Sequence, residues 1–251
     1  MSPLEAALIV AVGAAAGTVN TVVGSGSLIT FPTLLVLGYP ALTANVSNTV
    51  GLFPGTVSGS VGYRAELVGQ LPRALILGSA ALVGSLCGGL LLLALPPTSF
   101  ERVVPFLILV ACCLVAFQER LSMWLTRHRE RTSRRPSALL LGGVFVTGVY
   151  GGYFGAAQGV ILIALLGILL NDDLQRLNAL KNVLSAAASG AAALLFVVAG
   201  PVAWLPALLL AVGAIAGGQV GAVLARRLRP DLLRIVIVVV GVLVAIRLLI
   251  G

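Results

Sequence analysis

Long apolar runs, interrupted at short intervals by glycine, proline and a few charges, set the pattern of the chain. Stretches such as "ALILGSAALVGSLCGGLLLLAL" show no alternation of apolar and polar positions. They therefore predict helices, not the roughly ten-residue alternating strands of a membrane barrel. Apolar segments fall at about 3–23, 27–38, 43–62, 71–95 and 99–121, and, after the hydrophilic stretch 122–136, at about 137–155, 157–170, 178–199, 202–225 and 231–250. The pattern predicts an all-α polytopic membrane protein with five segments on either side of a linker. The second segment of each group would rise only about 18 to 21 Å, short of a hydrocarbon core about 30 Å thick. Each is therefore expected to form a broken or re-entrant pair with the helix before it, and whether it spans fully stays open.

The equal division suggests a duplication. Gly17 and Gly24 align with Gly148 and Gly155 at a shift of 131, and three inserted residues then move the shift to 134, pairing Asn48 with Asn182, Pro72 with Pro206 and Gly84 with Gly218. The expected domains are a first transmembrane repeat at 1–121, a basic linker at 122–136 and a second repeat at 137–251. Because Lys and Arg beside short loops favour the cytoplasm, charge orients the halves. With the linker inside and an odd number of crossings per half, 14 basic residues lie inside and 2, Arg102 and Arg247, outside; an even number gives 9 against 7. Inverted repeats are expected, with both termini extracytoplasmic and the linker cytoplasmic.

Composition agrees with this picture, since 59% of the residues are hydrophobic and only 10% charged. The net charge of +8 raises the question of nucleic acid, but the basic residues are scattered among loops. Their largest cluster, Arg120 to Arg135, has few aromatics to stack bases, so it reads as a topology signal and no nucleic-acid partner is expected. The sole histidine, His128, sits in that cluster and reads as a solvated loop residue. "MSPLE" lacks a basic leader region, so the first segment is expected to be retained. Cys87, Cys112 and Cys113 lie in apolar helices without CxxC spacing or His partners, as packing residues do. No metal and no cofactor are expected.

The stretch "GTVNTVVGSGSLITFPTLL" raises a different question, because Gly24, Ser25, Gly26 and Ser27 spoil a helix inside an apolar run. A break there leaves the first amides of the next helix without intrahelical acceptors. In lipid each would cost several kcal/mol, so the break must be buried in protein or face a wet cavity, where the positive helix end suits an anion. The corresponding place in the second half is "GGYFGAAQGV", with Gly155, Gly159 and the polar head of Gln158. Paired interruptions in two inverted halves point to a transporter's central site. The same small residues would also suit close helix packing.

A second constellation is "TANVSNT" with its partner "RLNALKNVLS". Asn45, Asn48 and Thr49 share a helix face, as do Asn178, Lys181 and Asn182, and Asn20 adds an amide from the first segment. Amides in a span serve either as interhelical ties or as ligand donors. Lys181, the chain's only lysine beside fifteen arginines, would attract an anion, snorkel to the interface, or pair with Asp172 or Asp173. Arg64 and Glu66 read as loop charges. The candidate substrate-binding set is thus Asn20, Gly24, Ser25, Gly26, Ser27, Asn45, Asn48, Thr49, Gly155, Gln158, Asn178, Lys181 and Asn182.

The stretches "GTVNTVVGSGSLITFPTLLVLGYPALTANVSNTVGL" and "GVYGGYFGAAQGVILIALLGILLNDDLQRLNALKNVLS" resemble the TauE/SafE family of sulfite and sulfonate exporters, over nearly the whole chain. The resemblance implies secondary transport of small organosulfur anions across a bacterial inner membrane. Where members of that family often carry a run of glycines at the break in both halves, this chain reads "GSGS" and "GAAQG".

The expected function is therefore a secondary transporter that exports a small anion, sulfite or an organosulfonate, by alternating access. A coupling proton or cation and a homo-oligomer stay open. No Walker motif is present, and the acidic residues Glu5, Glu66, Glu101, Glu119, Asp172 and Asp173 lie near segment ends, which leaves a buried acidic relay without support. An anion channel or a non-transporting membrane subunit is the alternative. An integral membrane enzyme would need clustered acids, His or metal ligands, and Asp172 and Asp173 with distant His128 do not supply them, so the chain is not expected to be an enzyme.

Overall fold

Ser2 opens the first helix with a reciprocal cap: its hydroxyl accepts from the Glu5 amide, and the Glu5 carboxylate accepts from the Ser2 amide at 2.8 Å. The computed structural model describes residues 1–127, 137–224 and 231–250. Over them the chain is helical throughout: α1 (Pro3–Val22), α2 (Ser27–Val36), α3 (Ala41–Gly62), α4 (Leu71–Ala94), α5 (Pro97–Arg127), α6 (Ala138–Tyr153), α7 (Gln158–Leu169), α8 (Leu174–Ala199), α9 (Trp204–Leu224) and α10 (Asp231–Ile250). His128 and the arginines at 129, 131, 134, 135, 226, 227 and 229 lie outside the described residues.

Among the described residues five helices are long and apolar enough to cross a membrane, namely α1, α4, α5 over Pro97–Gln118, α8 and α9. The chain is a multi-pass membrane protein. α2 and α7 are short, at 10 and 12 residues. They rise only about 15 and 18 Å, too little to cross a bilayer core alone.

Small residues decide which helices meet. A methyl group on Gly217 would lie 2.0 Å from the Ala14 carbonyl oxygen, and one on Gly17 would lie 2.4 Å from that of Ala214, so α1 and α9 are in backbone contact. α4 and α6 meet in the same way, with Gly88 against the Val149 carbonyl at 1.9 Å and Gly152 against that of Ser85 at 2.0 Å for an added methyl. Such small-xxx-small seams replace the hydrophobic drive that lipid removes. Gly17 and Gly148, which align in the sequence at a shift of 131, both work as seam residues. α3 packs on α8 and α9, α4 on α8, and α5 on α10, where Gly241 leaves room for the Cys112 sulfur. Cys87 and Cys113 are exposed free thiols and Cys112 a buried one. The helices that precede the two short ones are thus each clamped by a long helix, α1 by α9 and α6 by α4.

Candidate functional site: a polar cavity between two helix breaks

Both breaks are built alike. α1 ends when Gly24 turns left-handed, φ +91°, and its amide reaches back to the Val19 carbonyl at 3.1 Å; α6 ends when Gly155 does so, φ +75°, with its amide on the Tyr150 carbonyl at 3.1 Å. Glycine adopts this conformation without the penalty a side chain would bring. α2 and α7 then start on Gly26 and Ala157, and neither start carries a side-chain cap. Ala157 is itself left-handed at φ +58°, and the Tyr150 hydroxyl steadies the turn by donating to the Ala156 carbonyl at 2.6 Å.

The two breaks touch. The Gly159 amide donates to the Gly24 carbonyl at 3.1 Å, and a methyl on Gly24 would stand 2.5 Å from the Gly159 Cα. Beside this contact lies a cavity of about 30 Å³. Ser27, Gly155, Gln158 and Gly159 line it from the breaks, and Asn20, Gly151 and Phe154 from α1 and α6. Thr49, Leu52 and Thr56 of α3 face it, as do Ser185 and Ser189 of α8. Phe154 is backed edge-on by Phe31, with ring centroids 5.4 Å apart, and Phe100 stands against both rings. The Gln158 carboxamide is buried over Gly151, its Nε2 has no hydrogen-bond partner, and the buried Ser25 hydroxyl lacks one as well. An unsatisfied donor at an uncapped helix start, beside a cavity with room for about two waters, is chemistry suited to an anion.

The thirteen candidate residues from the sequence divide into three groups. Asn20, Ser27, Thr49, Gly155 and Gln158 line the cavity, while Gly24, Ser25 and Gly26 form the backbone of the first break. The remaining five are bonded to protein groups. Asn48 accepts from the Thr30 hydroxyl, Asn45 Nδ2 donates to the Tyr153 carbonyl at 3.0 Å, and Asn178 Nδ2 donates to the Tyr63 hydroxyl at 2.7 Å. Asn182 Nδ2 and Lys181 Nζ both donate to the Thr21 carbonyl, at 3.4 and 3.0 Å. Lys181 is 1% exposed. It neither snorkels to an interface nor pairs with an aspartate, because Asp172 binds Arg73 and Arg176 at 2.9 and 2.8 Å and Asp173 caps α8.

Residues not anticipated at the cavity are Leu52, Thr56, Gly151, Phe154, Ser185 and Ser189, whereas Gly159 is expected there as part of the second break. For α3 and α8 a signal was present: the rows that begin at Asn45 and Asn178 continue at three- and four-residue steps through Thr49, Leu52 and Thr56, and through Asn182, Ser185 and Ser189.

A family model described as "Sulfite exporter TauE/SafE" matches residues 9–248. The chain belongs to the TauE/SafE family. It is 27% identical over 249 residues to "Probable membrane transporter protein YfcA" of Escherichia coli (strain K12), covering 99% of this chain and 91% of that protein. It is 29% identical to "Probable membrane transporter protein ORF9" of Sinorhizobium sp, with 93% and 88% covered. A "Probable membrane transporter protein" of Haemophilus influenzae is 26% identical, with 94% and 91% covered. In this TauE/SafE chain the cavity lies within the matched region.

Asp172, in the connection between α7 and α8 and outside the spans, joins Arg73 in the first turn of α4 to Arg176 in the first turn of α8, and Arg176 further donates to the Val68 carbonyl at 3.2 Å while Gln70 donates to the Arg176 carbonyl at 3.1 Å. Burial raises the Asp172 carboxyl, but the Asp173 amide and the two guanidiniums together outweigh it and hold it below its ordinary 3.8. A depressed native value means that the cluster's contribution is complete above that ordinary value and is lost as pH falls through the native one. Asp172→Asn is expected to cost about 1 to 2 kcal/mol near neutral pH. Thermal unfolding in detergent should show the difference from wild type shrinking below pH 4; a gap independent of pH would contradict the assignment.

Proposed function

We propose that this TauE/SafE protein is a secondary transporter that exports a small anion, of the sulfite or organosulfonate class, across the bacterial inner membrane by alternating access. The observation that carries the reading is the meeting of two uncapped helix starts at a polar cavity lined in part by Gln158, whose buried Nε2 has no hydrogen-bond partner. Positive helix ends and free N–H groups at mid-chain breaks are how carriers hold the charged end of a substrate. The cavity has room for about two waters, fewer heavy atoms than a sulfonate carries, so on this reading the halves part for an anion to enter and leave.

Two inverted repeats, 1–121 and 137–251 about the linker 122–136, are the arrangement that would rock in this way. Reciprocal contacts support the repeat. Gly17 lies on Ala214 and Gly148 on Ala81; Gly84 lies on Phe145 and Gly217 on Ala14. The cavity is lined in matching pairs, Asn20 with Gly151 and Ser27 with Gln158 at an offset of 131, then Leu52 with Ser185 and Thr56 with Ser189 at 133. Both termini are placed outside the cytoplasm by the distribution of Lys and Arg.

The alternative is an anion channel or a subunit that does not itself transport. Counterflow decides between them. Proteoliposomes preloaded with a sulfonate should transiently accumulate its labelled form against no net gradient, and initial rates should saturate; flux linear in concentration without counterflow would make the protein a pore. A panel of sulfite, thiosulfate, sulfoacetate, isethionate and carboxylate analogues, scored by thermal stabilisation of the purified protein, identifies the ligand by mass action.

A further inference from the structure

Lys181 has a position that the proposed anion site does not explain. Its ammonium is buried against the last turn of α1, where Nζ donates to the Thr21 carbonyl at 3.0 Å and the Asn20 carbonyl at 3.4 Å. The tie running the other way between the halves is neutral, Asn45 Nδ2 on the Tyr153 carbonyl at the end of α6. Each helix end beside a break is thus held by a side chain from the opposite half, and only one of the two holds carries a titratable group.

Among the described residues, the groups around it supply no counter-ion. α3, α7 and α9 contain no charged residue. Glu5 of α1 caps the far end of that helix. Arg73 of α4 is engaged with Asp172, as is Arg176 at the start of α8, and Asp173 caps α8. Tyr63 receives the Asn178 amide, and the hydroxyl of Tyr150 on α6 binds the Ala156 carbonyl. Helix-end carbonyls favour a cation, yet a buried charge without an opposite charge is costly in a membrane span. The missing negative charge has a place to go. Asn20 offers its carbonyl to Nζ and also lines the cavity, as does Ser185, one helical turn beyond Lys181.

We propose that Lys181 couples a proton to anion movement: occupation of the cavity by an anion and protonation of Lys181 favour each other, so the anion and one proton travel together. The inference rests on the transport reading above. The ε-amine takes a proton from water on the side from which the anion arrives, and the ammonium returns it to water on the side where the anion leaves. A monovalent anion then crosses without net charge. Linkage makes the effect reciprocal, so anion affinity falls as pH rises through the Lys181 titration.

The test uses isethionate, whose sulfonate does not titrate in the working range, in proteoliposomes with an internal pH dye and the potential clamped by potassium and valinomycin. Wild type should move a proton with isethionate, in the same direction, at a rate indifferent to the clamp. Lys181→Gln should keep counterflow at about ten-fold weaker apparent affinity for the lost charge, move no proton, and become sensitive to potential. Lys181→Arg, which keeps the cation but does not release its proton, should retain counterflow without proton movement. Wild-type isethionate flux without a proton, or proton movement surviving in either variant, overturns the proposal, and so does loss of counterflow in both. Absence of counterflow from wild type with every anion of the panel is a separate result, and it removes the transport reading itself.

Discussion

Gly159→Ala is expected to lose isethionate counterflow and to lower thermal stability, although alanine is the better helix former. Gly159 lies inside α7 with ordinary helical geometry, so intrinsic propensity alone would favour the change by up to about 1 kcal/mol. Contact opposes it. The new methyl would stand 2.5 Å from the Gly24 Cα and 3.1 Å from the Gly24 carbonyl oxygen, and both are backbone atoms that cannot rotate away. Overpacking of this kind costs about 1 to 3 kcal/mol, and about 1.4 kcal/mol already shifts the population of a closed state ten-fold. Gly142→Ala on α6 is the control, because nothing lies within 4 Å of its added methyl; it should be neutral or slightly stabilising. The measurements are detergent thermal unfolding and counterflow on variants of equal membrane yield. A Gly159→Ala protein as stable and active as wild type would mean that the two breaks do not meet in the working molecule.

The ten helices were readable from hydropathy because lipid leaves few alternatives to a helix, and their ends fell where caps allow. α8 begins at Leu174 rather than 178 since Asp173 offers its carboxylate to the Gln175 amide, and α5 continues to Arg127, since no proline or glycine stops it at 121. The first break was legible in four consecutive weak helix formers. The second was harder to see, because its tightest position is an alanine in the left-handed region, which composition does not betray. Register was the least legible feature. Under the proposed repeat, identical letters pair Asn48 with Asn182 and Gly84 with Gly218 at 134, while seam contacts and cavity lining favour Gly84 with Gly217, and Leu52 with Ser185, at 133. Asn48 receives the Thr30 hydroxyl while Asn182 holds the Thr21 carbonyl, so the two shared a residue type without sharing a task. The depth of Lys181 was hidden for a related reason: what holds it is a pair of backbone carbonyls, and every residue has one.

Gln158→Glu tests the sign of the cavity's charge preference with almost no change of shape. The side chain keeps its length and its place over Gly151, but exchanges an unpaired donor for a carboxylate at the start of α7. There the carboxylate would itself occupy the positive helix end as a tethered anion, and it would repel a free one. Two like charges about 4 Å apart repel by about 4 kcal/mol at an effective dielectric constant of 20, on the order of a thousand-fold in affinity. Counterflow should therefore vanish near neutral pH at sulfonate concentrations that saturate wild type. Lowering the pH neutralises the introduced carboxyl, so transport should return as the pH falls, provided the probe is isethionate and does not titrate with it. Gln158→Leu separates charge from donation: it removes the donor without adding repulsion, and about a ten-fold loss of affinity is expected, the worth of one hydrogen bond to a charged group. A Glu variant that binds isethionate as wild type does at neutral pH would show that the anion lies elsewhere, and that the helix starts meeting at Gly24 and Gly159 serve packing alone.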